Sequence, residues 1–448
     1  MAWVLAETEA VAMKRQFWVL GFVLLAAMLL NAQDVSPVSP RNMGNAIANR
    51  SVPFVELLRQ AEAGDKYAQY IVANAYATGS GVPKNDAETV RWLLQAARGG
   101  VAEAQNRMGY LYERGMAVPQ DYGVAMRWFS SAAEQKLPAA QFNLAHMYQK
   151  GEGVPIDPAR AADLYGQAAA QGLAPARNEL GMAYINGTGV PRNATEAFRL
   201  FRLAAEQGEP AAQHNLGVIY FEGNGTARNY PEALKWFSQA ANGGITEAYR
   251  ALGEMYEHGN GVRRNFAKAA GFYRKAAEHG LATAQLELGH LYKIGKGVHQ
   301  DYFEAARWFR LAAEQGHPIG QNEFGYMYCR GEGVSRDYRQ GANWFLKAAE
   351  QNFAPAQENL GFLYQNGLGV PLNYGEAYKW LTLAANGGSP TGRRALQTLT
   401  QIITATQLQD GKDRVSDWVS HHNNLELAAQ KDKDEMKELD GYATAAQP

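Results

Sequence analysis

Ala212-Gln213-His214-Asn215-Leu216-Gly217-Val218-Ile219-Tyr220 ends on one of nine tyrosines set 36 residues apart, at Tyr76, Tyr112, Tyr148, Tyr184, Tyr220, Tyr256, Tyr292, Tyr328 and Tyr364, with no insertion between them. A period held that strictly marks a repeat array, whose units stack on one another instead of each closing a core of its own. Within the stretch, Leu216 and Tyr220 are four apart and share a helix face, and Gly217 between them admits a neighbouring helix closely. Seven of the nine units keep that glycine, and Ala73 and Ala145 keep the side chain small in the other two.

Downstream of the tyrosine, Gly-x-Gly-Val turns such as Gly151/Gly153, Gly259/Gly261 and Gly331/Gly333 allow positive φ at the helix end and a valine that tucks back onto the core. The same turn recurs with no preceding strand and no Lys-Ser/Thr ending, which argues against a phosphate loop. An Asp or Asn then opens a second helix in every unit, from Asn85 and Asp121 to Asp337 and Asn373. There it accepts first-turn amides, a contribution of about 1 kcal/mol per cap, so these residues are caps before they are acids. A small residue, an aromatic pair such as Trp128-Phe129, Trp236-Phe237 or Trp308-Phe309, and a double alanine follow. Rings set against small residues interlock the two helices, and Tyr220 is read with them as a ring buried between helices. Seven units close on glycine, while Lys136 and Asn352 occupy the equivalent left-handed position in the other two.

The run Ala-Gln-x-x-Leu-Gly-x-x-Tyr-x-x-Gly-x-Gly-Val-x-x-Asp/Asn, continuing into Ala-x-x-Trp-Phe/Tyr-x-x-Ala-Ala-Glu-Gln-Gly, resembles the Sel-1-like repeat, a relative of the tetratricopeptide repeat. The resemblance covers about three quarters of the chain. It implies an all-α, right-handed α/α superhelical solenoid of nine 36-residue helix-turn-helix repeats, and a scaffold or adaptor role with no catalysis. Bacterial members of the family often carry signal peptides and act in the envelope or in host contact. Its secreted cysteine-rich members join helix pairs by disulfides. This chain has Cys329 alone, so its stability must come from packing, and neither a disulfide within the chain nor a cysteine metal cage can form.

The flanks carry different signals. Residues 1–32 read as a signal peptide: Met13-Lys14-Arg15-Gln16 is a positive head, Phe17 to Leu30 is apolar, and cleavage is expected near Ala32-Gln33. Nothing before Met13 belongs to that pattern, which allows a start there. Fourteen apolar residues are short of the roughly 20 a membrane helix needs, and an uncleaved anchor is the alternative. Residues 33–52 read as a linker rich in Pro, Ser and Asn, and 53–405 as the solenoid with half-unit caps. The stretch 406–448 reads as a helical extension with a charged tail around Lys431 to Glu435.

A net charge of −1 and the absence of a long Lys/Arg run argue against nucleic acid. Cofactor and metal are not expected, and oligomeric state is left open. A solenoid offers an inner groove lined by first helices. By analogy with tetratricopeptide geometry, the groove positions are the second or third residue after each Ala of the Ala-Gln pair, the residue after the small Gly, and the residue after the Tyr. They place Phe142, His146, Met182, Ile185, Val218 and Phe221 in an apolar first half, and Glu254, Glu257, His258, Glu287, His290 and Glu323 in an acidic second half with histidines. The expected function is a periplasmic or secreted scaffold that holds a protein or peptide partner there. The alternative is an envelope hydrolase or carbohydrate-binding protein with a pocket in the same groove.

Overall fold

The computed structural model describes residues 53–422, so the leader, the linker and the charged tail lie outside the described residues. Described residues form helices and turns with no strand. A lone helix, Phe54–Glu62, precedes nine helix pairs, of which Pro210–Glu222 with Tyr230–Asn242 is the fifth. Pro390–Thr400 and a helix over 405–422 follow the ninth pair. The chain is thus an all-α solenoid with a half-unit at its N-terminal end.

Each unit is built as its local sequence dictates. All nine first helices stop on a left-handed glycine, such as Gly223 (φ 80°) and Gly331 (φ 70°). All nine second helices open on the expected cap, whose side chain accepts a first-turn amide, as Asn229 does from Glu232. The cap's own amide donates to the carbonyl of the repeat tyrosine nine residues earlier, as Asn229 does to Tyr220 at 2.8 Å. Tyrosine and cap thereby fix the angle between the paired helices. Lys136 and Asn352 adopt positive φ, 63° and 60°, where the other units have glycine.

The core differs from expectation in one respect. The ring of Tyr220 is half-buried, edge-on to Phe198 at 5.5 Å, and it is Phe237 on the second helix that is sealed, at 1 % exposure. A methyl group added at Gly217 would lie 2.6 Å from that ring. The same lock joins Gly109 to Phe129, Gly181 to Phe201, Gly253 to Tyr273, Gly289 to Phe309 and Gly325 to Phe345. The repeat glycine exists to receive a ring, and the repeat tyrosine stands beside that lock.

Two further devices join unit to unit. In six units the glutamine of the Ala-Gln frame is buried and donates to an alanine carbonyl eight residues earlier, as Gln105 does to Ala97 (3.1 Å) and Gln285 to Ala277 (3.2 Å), whereas Gln141 donates to Gln167. In unit four Arg177 donates to Ala169 in the glutamine's place. Those alanines sit at helix C-termini, where their carbonyls accept from the closing glycine, as Ala97 does from Gly100 (3.0 Å) and Ala277 from Gly280 (3.0 Å), so the glutamine uses the remaining lone pair. The second turn glycine lies against the start of the preceding unit's second helix. A side chain at Gly333 would land on the Tyr302 carbonyl, and one at Gly297 on that of Phe266.

The C-terminal end is closed by the 405–422 helix. Trp418 meets Trp380 edge-on at 4.9 Å, and Arg414 bridges Glu376 and Asp410.

Candidate functional site

First helices of successive units touch directly between units four and five and units seven and eight, whereas second helices of successive units make no comparable contact among the described residues. At those junctions first helices approach one another more closely than second helices do, and the face the first helices line is called the inner face below. Amide ladders run along that face: Asn143 donates to Asn106, Asn215 to Asn178 and Asn359 to Asn322, each at 2.9 Å. Arg107 continues the ladder to Asn74.

The position four residues after each Ala-Gln glutamine is filled by the small frame residue, and the next position belongs to the inward register. In units two to nine that inward position carries Tyr110, His146, Met182, Val218, Glu254, His290, Tyr326 and Phe362. The series runs through aromatic, imidazole, aliphatic and acidic side chains, and only Met182 with Val218 and Tyr326 with Phe362 repeat a chemistry in successive units.

The predicted apolar half is more deeply seated than its sequence position suggests. Val218 is 5 % exposed and belongs to the core, so it offers no surface, a correction that follows from its packing against Phe237 and Leu252. Phe142, His146, Met182, Ile185 and Phe221 are half-buried. Phe142 stacks near His146 at 5.0 Å, and Phe221 sits 5.3 Å from Tyr230. Burial, with Lys150 and Arg114 nearby, lowers His146 to about 4, so it is neutral at physiological pH.

The acidic half is partnered. Glu254 pairs with Arg250 (3.4 Å), Glu257 accepts from the Tyr273 hydroxyl (2.6 Å), and Glu323 pairs with Lys293 (2.8 Å). Burial raises Glu323, but His290 and Lys293 outweigh it and hold its carboxyl below the usual range. His290 lies against Phe309 at 5.0 Å, and His258 is exposed at its helix end. His258 and His290 are not brought into a metal set, since no group of three His, Cys, Asp or Glu able to hold an ion occurs among the described residues. A shallow cavity of about 550 Å³ lies on the unit-six turn and is lined by Tyr256, Val262, Arg263, Arg264, Asn265 and Lys268. Its lining is cationic and sits outside the predicted groove residues.

Sequence reasoning missed Phe362. It holds the inward position of unit nine and is 56 % exposed, the most accessible large apolar side chain of that register. Extending the register to the last unit identifies it.

The Sel1 repeat model matches nine consecutive segments, 66–101, 102–137, 138–173, 174–209, 210–245, 246–281, 282–317, 318–353 and 354–389. The chain belongs to the Sel1 repeat family. A Sel1 repeat protein from Oxalobacter formigenes is 33 % identical over 71 % of this chain and 92 % of its own, with a TM-score of 0.54. A protective antigen present in uropathogenic Escherichia coli strains, displaying an SLR fold, is 29 % identical over 82 % of this chain and 95 % of its own, with a TM-score of 0.48. No curated protein matches the Sel1 chain. A Sel1 solenoid is a scaffold fold, commonly used for protein interaction and generally without catalysis. No described helix of this one is long and apolar enough to cross a membrane.

Proposed function

We propose that this Sel1 chain is a non-catalytic adaptor of the cell envelope, or a secreted one, that holds a protein or peptide partner along its inner face. One observation carries the reading. The frame repeats where side chains are buried, in the alanines, the repeat glycine and the ring it receives, and it varies at the inward position from His146 to Phe362. Packing needs the repetition; a one-dimensional stack gives no packing reason for the variation, whereas recognition of an irregular partner does. The ion pairs of Glu254 and Glu323 then fix the charge pattern the partner meets, and Met182, Phe221 and Phe362 supply apolar contact.

Capture from an envelope extract with the wild-type chain identifies the partner. Phe362→Ser, at an exposed position, and Met182→Ser combined with Phe221→Ser should each weaken that capture while circular dichroism shows helical content unchanged. Undiminished capture by both folded variants would overturn the inner-face reading. Export rests on the leader alone, and mass spectrometry of the mature protein should find its N-terminus at or near Gln33. A mature chain that still begins at Met1 or Met13 would replace export by anchoring.

A further inference from the structure

Six Asn-Gly steps occur in the described array: Asn186-Gly187, Asn224-Gly225, Asn242-Gly243, Asn260-Gly261, Asn366-Gly367 and Asn386-Gly387. An Asn-Gly step is the sequence most open to loss of the side-chain amide, because glycine puts no side chain in the way of its own nitrogen. Exposure does not separate the six: all the asparagines are exposed except Asn260, which is half-buried. The backbone separates them. Asn186, Asn242, Asn366 and Asn386 are the last residues of their helices, and the glycine amide after each donates to a helix carbonyl, as Gly187 does to Ala183 (2.8 Å) and Gly387 to Leu383 (2.8 Å). Helical ψ holds the asparagine Cγ away from the next nitrogen, and a donated amide is a poor nucleophile.

Asn224 and Asn260 lie beyond the helix ends, after the left-handed Gly223 and Gly259. No backbone carbonyl accepts from Gly225 or Gly261 among the described residues. We infer that the Gly-Asn-Gly turns of units five and six are sites of spontaneous modification, with Asn224 first and Asn260 second. The Gly225 backbone nitrogen attacks Asn224 Cγ. A nitrogen–carbon bond forms, the bond from Cγ to Nδ2 breaks, and ammonia leaves with the proton given up by the Gly225 amide. Solvent water then opens the cyclic imide at either carbonyl, giving aspartate or isoaspartate. Both products place a carboxylate one residue after Gly223, against which Arg228 packs, its guanidinium reaching the Glu222 carbonyl at 3.4 Å. Isoaspartate also lengthens the backbone beside Gly225, where a side chain would already land on the Ala194 carbonyl, so it should loosen the seam between units four and five.

The test is incubation of the full folded chain at mildly alkaline pH, followed by peptide mapping that separates asparagine, aspartate and isoaspartate. Asn224 should convert at least about tenfold faster than the four helix-end asparagines, the factor that roughly one hydrogen bond is worth. In denaturant the six sites should converge, since their local sequence is shared. Comparable rates at all six in the folded chain, or selectivity for Asn224 that survives unfolding, would overturn the assignment. Asn224→Gln should abolish the leading product, and a leading product that persists in that variant would overturn it as well.

Discussion

Phe237→Ala is expected to destabilise the array by about 3–5 kcal/mol, the range for deleting a sealed aromatic ring. The ring is closed in by Gly217 on one side and by Ala233, Ala240 and Leu252 around it, so the vacated space has little means of collapsing. Tyr220→Ala should cost distinctly less, because that ring is half-buried and the bond from Asn229 goes to the backbone carbonyl, which survives the substitution. Each unit of a stack touches mainly its neighbours, and unfolding of a long array need not be two-state. Hydrogen exchange resolved along the chain is therefore the sharper measurement, with early opening of units four to six in the Phe237 variant. Equal losses for the two variants would reverse the assignment of lock and flank.

Gly333→Val and Gly316→Val should differ widely although both glycines have positive φ, 69° and 83°. The left-handed backbone costs each substitution about 1–2 kcal/mol, and more for a branched side chain. Nothing lies within 4 Å of a side chain built at Gly316, while one at Gly333 meets the backbone of Tyr302. A backbone group already committed to a helix start cannot step aside as a flexible side chain would. The Gly333 variant is therefore expected to lose roughly 2 kcal/mol more than the Gly316 variant, on the scale of overpacking penalties. Chemical denaturation of the two side by side measures that difference, and equality would mean that the turn is free to move. Ala117, at φ 58°, fills the equivalent place in unit two, so the smallest side chain has been admitted there once.

What the sequence determined by itself is the periodic part of the protein. Helix identity, the Asx caps, the left-handed turns and even the exceptional Lys136 and Asn352 follow from local backbone preferences repeated 36 residues apart, and local preferences are what a one-dimensional reading can sum. Tertiary structure decided what each repeated residue faces. Tyr220 and Phe237 are both large, helical and periodic, and only the crossing of two helices shows that Gly217 receives the second and not the first. Gln285 looks like any surface amide until the preceding unit's Ala277 carbonyl is seen to wait beneath it. The inner face shows the same division. Its register was legible as far as Phe362, but whether a side chain at that register sinks, as Val218 does, or stands out, as Phe362 does, depends on how closely the adjacent helices approach. That distance is set by side chains 20 to 36 residues away, and no local preference encodes it.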